Sequence, residues 1–243
     1  MKLSLVFVVL VAATVVSSCS KFNIAPINPP PTPIVPKDVW SSSIGGFAIT
    51  WTTADMIATP EHTPTRQVFS ELTRTAVDFH KIATKQTSDC DMTRQAKIQS
   101  VVGTIVSVQN SDIMKCTNGT NGTAIGSVAI DLARPKAPVL LSAIFPGHEL
   151  DALKTKAEHF CKTVPSDLMS SFAFSELHGN SVIVSVTLPQ DCTQSEVDVV
   201  LNVPATLKRP LELAATRKQG FLLHDQPAIA NGAVTTINYH YRM

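Results

Sequence analysis

A short apolar run at the N-terminus decides which bonds the rest of the chain can form. Lys2 supplies a positive charge, Leu3 to Val16 are mostly apolar, and Ser17, Ser18, Cys19 and Ser20 are small. This order reads as a secretory signal peptide over residues 1–18, with cleavage after Ser18 or Ser20. A spanning helix would need about 20 apolar residues to cross roughly 30 Å of hydrocarbon, and the run stops short of that. The chain is therefore expected to be secreted or extracellular, outside the reducing cytosol, where thiols pair.

Val16, Ser17, Ser18 and Cys19 resemble the bacterial lipobox, with valine where leucine is usual. That resemblance implies acylation of the Cys19 thiol and a membrane-anchored lipoprotein as the alternative location. The lipid would then be the only membrane contact. Residues 19–39 follow as a proline-rich linker. Pro26, Pro29, Pro30, Pro31, Pro33 and Pro36 favour an extended polyproline spacer at about 3 Å per residue. The exported region is expected over residues 40–243, with a division near 135–138 as one option.

Removing the signal leaves Cys90, Cys116, Cys161 and Cys192. An even count in an exported chain points to two disulfides; three connectivities are possible, and nearest-neighbour pairing, Cys90 with Cys116 and Cys161 with Cys192, is the first choice because it keeps each bridge inside one supersecondary unit. The four are too scattered for a zinc site, which needs Cys or His pairs at ligand spacing. Asn118 and Asn121 each open an Asn-Gly-Thr sequon, so both are glycosylation candidates. Asn-Gly also supplies the positive φ angles of a hairpin loop, so a turn is expected there with or without sugar.

Composition narrows the partners. The chain carries 20 Lys+Arg against 19 Asp+Glu, and 16% charged residues where about 25% is average. The basic pairs Lys208, Arg209 and Arg217, Lys218 make no stripe able to release phosphate counterions, so nucleic acid is excluded. Hydrophobic residues make up 44% of the 243 residues, enough for a large core.

Periodicity predicts an α+β fold, mostly antiparallel sheet with two main amphipathic helices in two β-α-β-β units. Phe47, Ile49 and Trp51 mark a strand over 45–53. Thr63 and Pro64 then open a helix through Ala83, with Val68, Phe69, Leu72, Ala76 and Phe79 at helical spacing. Val102, Thr104, Val106 and Val108 fall on one face of a strand over 98–108, and residues 124–132 alternate likewise. Val139 to Phe145 reads as a short buried strand. Leu150, Leu153, Ala157, Phe160, Cys161 and Val164 form the stripe of the second helix, which Pro165 stops. Strands over 181–188 and 197–203 follow, then a short helix over 211–217 and a last strand over 234–241.

No constellation carries chemistry above chance. G-x-S-x-G elbows, Walker loops, dinucleotide fingerprints and EF-hand loops do not occur, and no cofactor is implied. His148 and His159 would stand about 16 Å apart on one helix, too far to share a metal. Triads built from serines with His80, His178 or His224 beside Asp225 have no evidential value. Gly179, Asn180, Ser181 is superficially similar to the self-cleaving Gly-Ser turn of SEA domains, but Asn180 separates the reacting pair. Trp51 is assigned to the core and Trp40 to a contact surface. The expectation is an exported, non-enzymatic binding or structural protein whose partner is an extracellular protein or matrix component. The alternatives are a secreted hydrolase whose catalytic residues come from distant positions, and a protease inhibitor.

Overall fold

A computed structural model describes residues 38–52, 56–70, 89–164, 166–217, 221 and 235–241. The signal segment, Cys19, the linker through residue 37, His80, and His224 with Asp225 lie outside these residues, as do the side chains of Trp40 and Trp51.

Among the described residues eleven strands form three antiparallel sheets. The first sheet is a meander of β1 (Asp38–Ile44), β2 (Phe47–Thr52), β3 (Met56–Pro60) and β4 (Phe69–Ser70). The central sheet runs in the order β11-β5-β6-β7, with β5 at Cys90–Val102, β6 at Ile105–Cys116, β7 at Asn121–Asp131 and β11 at Thr235–Tyr241. A third sheet holds β8 (Phe172–His178), β9 (Ser181–Thr187) and β10 (Glu196–Asn202). Among the described residues the α-helices are α1 (Asp151–Phe160) and α2 (Ala205–Ala215), both short.

The expected α+β class with two β-α-β-β units is therefore corrected to a mostly antiparallel β fold. The first predicted helix fails at its start, because Phe69 and Ser70 pair with Ala58 and Ile57 as a strand. The Val68 N–H donates to the Ala58 carbonyl at 2.8 Å, and Phe69 is buried beside Ile49 and Ala58. Strand pairing and burial override the local helical period there. The rest of that predicted helix, from residue 71, lies outside the described residues.

The predicted strand over 98–108 is two strands joined at Gly103 and Thr104. Gly103 has φ 58°, which glycine adopts without cost, and the chain reverses there. A bulge between Ile98 and Ser100 then shifts the alternation of β5 by one residue. Val101 joins one hydrophobic cluster with Val106 and Val108, whereas Val102 joins the other. Because the two-residue turn pairs Val102 with Ile105 and Val101 with Val106, the predicted single face of Val102 with Val106 and Val108 is divided between two sides of the sheet.

Further corrections concern the second half. Residues 139–145 form no strand; Leu141–Ala143 is a 3-10 turn, with the Phe145 N–H bonded to the Leu141 carbonyl at 2.8 Å. Helix α1 ends at Phe160, because Cys161 swings to extended backbone where it meets Cys192, and Val164 is left exposed. The unpredicted β8 precedes β9, so a meander replaces the second unit. Val182, Val184, Val186 and Leu188 do point into the core, as do Val197, Val199 and Leu201.

Near the β5–β6 turn the central sheet is buried on both faces, whereas residues 121–126 of β7 are mostly exposed. One face gives Ala96, Ile98, Val106, Val108 and Ile130 to a cluster with Ile49, Ala58 and Phe69 of the first sheet. The other gives Val102, Ile105 and Ala129 to a larger cluster with the third sheet and both helices. Gly45, in the β1–β2 turn at φ 52°, packs against the β5–β6 turn; a methyl group built there would lie 2.7 Å from Thr104 Cγ2.

Candidate functional site

The predicted modification residues sit at two ends of the fold. Cys90 bonds Cys116 across paired positions of β5 and β6, and Cys161 bonds Cys192 between the end of α1 and the β9–β10 connection. Closing loops of 26 and 31 residues stabilises by about 3 to 4 kcal/mol each in the chain-entropy model. Directly after Cys116, residues 117–120 form the turn into β7. Gly119 has φ 84°, and the Thr120 N–H donates to Asn118 Oδ1 at 2.9 Å. Asn118 and Asn121 are both exposed.

A cleft of about 580 Å³ opens where the first sheet meets the connection leaving β7. Its floor is apolar: Phe47 from β2, Pro60 from β3 and Val68 from the approach to β4 lie half-buried, with Leu132 buried beneath. Its rim is cationic, with Arg66 on one side and Arg134 and Lys136 on the other, and among the described residues no carboxylate lines it.

The second side of the rim is held by Asp131, the last residue of β7. Its Oδ1 accepts from Thr104 Oγ1 at 2.6 Å and from the Ala133 N–H at 3.0 Å, and its Oδ2 accepts from Arg134 Nε at 3.1 Å. Burial alone would raise the Asp131 pKa. The hydrogen bonds from Thr104, Ala133 and Arg134 outweigh it and hold the carboxyl below its ordinary 3.8, so it stays ionised. This anchor turns the chain sharply out of β7 and presents Arg134, whose side chain is 87% exposed, with Lys136 at the cleft mouth. Arg66 and Lys136 make no ion pair among the described residues.

Several other polar groups are engaged in structural contacts, whereas Gln99 Oε1, Ser107 Oγ, Asn110 Oδ1 and Ser127 Oγ are buried without a hydrogen-bond partner among the described residues. A smaller cleft beside β10 contains Lys156, Ser185 and Asp198. There Lys156 Nζ donates to the Asp198 carbonyl at 2.5 Å, and Ser185 Oγ donates to Asp198 Oδ1 at 2.5 Å. Lys156 and Glu149, whose carboxylate accepts from the Asn202 N–H at 2.8 Å, cover the open edge of β10, whereas Ser185 reaches Asp198 from the paired strand β9. Arg94 and Asp112 face each other across β5 and β6 in a two-pronged ion pair at 2.5 Å. Near Gly103 and α2, Arg217 Nη1 donates to the Val101 carbonyl at 2.8 Å.

Among the described residues, the histidines named from sequence, His148, His159 and His178, do not converge. His148 and His159 are exposed, the latter edge-on to Phe160, and His178 pairs with the exposed Glu176 at 3.2 Å. Among the described residues no three His, Cys, Asp or Glu side chains meet in a metal-binding group, and no helix is long and apolar enough to cross a membrane. Sequence reasoning missed the cleft altogether. Arg134, Pro135 and Lys136 are legible as a basic loop, but nothing in the sequence places Arg66 and Phe47 opposite them. Comparison with protein-family models, curated proteins and solved structures finds no match to this chain.

Proposed function

We propose that this chain is an exported, non-enzymatic binding protein that works through the cleft between its first sheet and the connection after β7. One observation carries the reading: an apolar floor under a rim whose cations Arg66 and Lys136 lack ionic partners among the described residues. Surface cations are usually scattered over polar ground, whereas a concave apolar patch with a few converging polar groups is the usual form of a ligand site. The two disulfides suit an oxidising compartment, and the N-terminal signal and exposed sequons at Asn118 and Asn121 support secretion with N-linked sugar.

A thermal-shift screen of chemically diverse small molecules tests this on the mature, disulfide-bonded protein. A ligand at a hundred times its Kd stabilises by about 2.7 kcal/mol, a shift of several degrees in a chain of this size. The comparison is Ala137→Trp, which places an indole at an exposed position lining the cleft. Hits that disappear in this variant support the reading. A screen without hits, or hits that Ala137→Trp leaves unchanged, overturns it.

A further inference from the structure

The cleft's electrostatics also specify its ligand, an inference that rests on the binding reading above. We propose that it takes a small amphipathic carboxylate, with its apolar body on Phe47, Pro60 and Val68 and its charged head among Arg66, Arg134 and Lys136.

The sign of the charge comes from the rim. Asp131 offsets part of the charge of Arg134, at 3.1 Å, but it does not line the cleft. Among the described residues, Arg66 and Lys136 therefore present positive charge without an ionic partner over a lining that holds no carboxylate. A guanidinium fork matches the two oxygens of a carboxylate, and the lysine ammonium adds a point charge that the same head can share. A neutral apolar ligand would use the floor and ignore the rim. A cation would be repelled by it.

The size of the ligand comes from the shape. A volume of about 580 Å³ lies within the range of small-molecule sites. A protein partner needs roughly 800 Å² of surface on each side, and a bilayer needs protruding apolar side chains. The large exposed hydrophobics, Ile113, Ile125, Leu140, Val164, Val200 and Leu213, all lie away from the cleft lining. Among the described residues no large exposed hydrophobic belongs to the cleft lining, which favours a ligand that enters over a surface that docks.

Calorimetric titration of the mature protein with monomeric decanoate at low salt tests the inference, with 1-decanol as the uncharged control. Decanoate is expected to saturate one site at least tenfold more tightly than decanol. In Arg66→Glu/Lys136→Glu, two exposed substitutions, decanoate affinity falls at least tenfold while decanol binding and the thermal midpoint are unchanged. Equal affinity for decanoate and decanol overturns the carboxylate assignment, as does an unaltered decanoate affinity in the double variant. Binding confined to anionic vesicles, with no uptake of the monomer, overturns it too. A neutral or cationic screening hit abolished by Ala137→Trp would sink this inference and leave the binding reading standing. A screen with no hit sensitive to Ala137→Trp removes both.

Discussion

The two faces of the central sheet are built for different ends. One is covered by the third sheet and both helices, with Phe145, Phe172 and Phe174 fully buried and the Cys161–Cys192 bridge at its margin. The other carries the first sheet over a smaller cluster, and beyond that cluster lies the cation-rimmed cleft. Aromatic rings and a covalent tie make the first face a rigid support. The second buries less and leaves part of its apolar surface reachable, as a site for an external ligand requires.

Three measurements would sharpen or break that contrast. Phe174→Ala opens a void in the larger cluster, where Phe172 and Phe174 meet edge to face with centroids 5.5 Å apart. It is expected to cost about 3 to 5 kcal/mol in urea unfolding. A cost below 1 kcal/mol would mean that this face is not the support it is taken to be. Replacing Cys161 and Cys192 together by alanine comes next, at about 2 to 4 kcal/mol by the same assay under non-reducing conditions.

The smallest effect concerns Asp131, on the cleft side. Its folded pKa lies below the unfolded 3.8, so its stabilisation is fully present above 3.8 and is lost as pH falls through the folded value. Asp131→Asn should therefore be less stable than the parent at neutral pH, with the gap narrowing on acidification below 3.8. Urea midpoints at pH 7 and pH 3 measure this, and a gap that stays constant would show that the Asp131 charge does not hold the cleft-side loop.

Some of the fold was legible because it is local. In β9 and β10 the period-two valines mark the buried face without help from the rest of the chain, and the Asn-Gly turn after Cys116 follows from backbone preference. The cysteine pairs were legible for a related reason, since each bridge closes within one short stretch. Phe69 shows where this ends: its spacing fits a helix, yet pairing with Ala58 places it in a strand. Gly103 shows it again, because β-branched residues on both sides hid the turn that glycine makes there.

For the cleft almost nothing was readable in advance. Arg66 approaches from the first sheet, Arg134 and Lys136 from the end of β7, and their convergence depends on how two sheets pack.

The sequence by itself determined a signal-like apolar run, an even set of four cysteines open to three pairings, and the alternating faces of the simplest strands, because each is read from residues near in the chain. Tertiary structure decided the strand-dominated class, the two unequal sides of the central sheet and the meeting of cations over apolar ground. Those depend on which surfaces bury each other, and that energy is set by contacts between segments far apart in the chain.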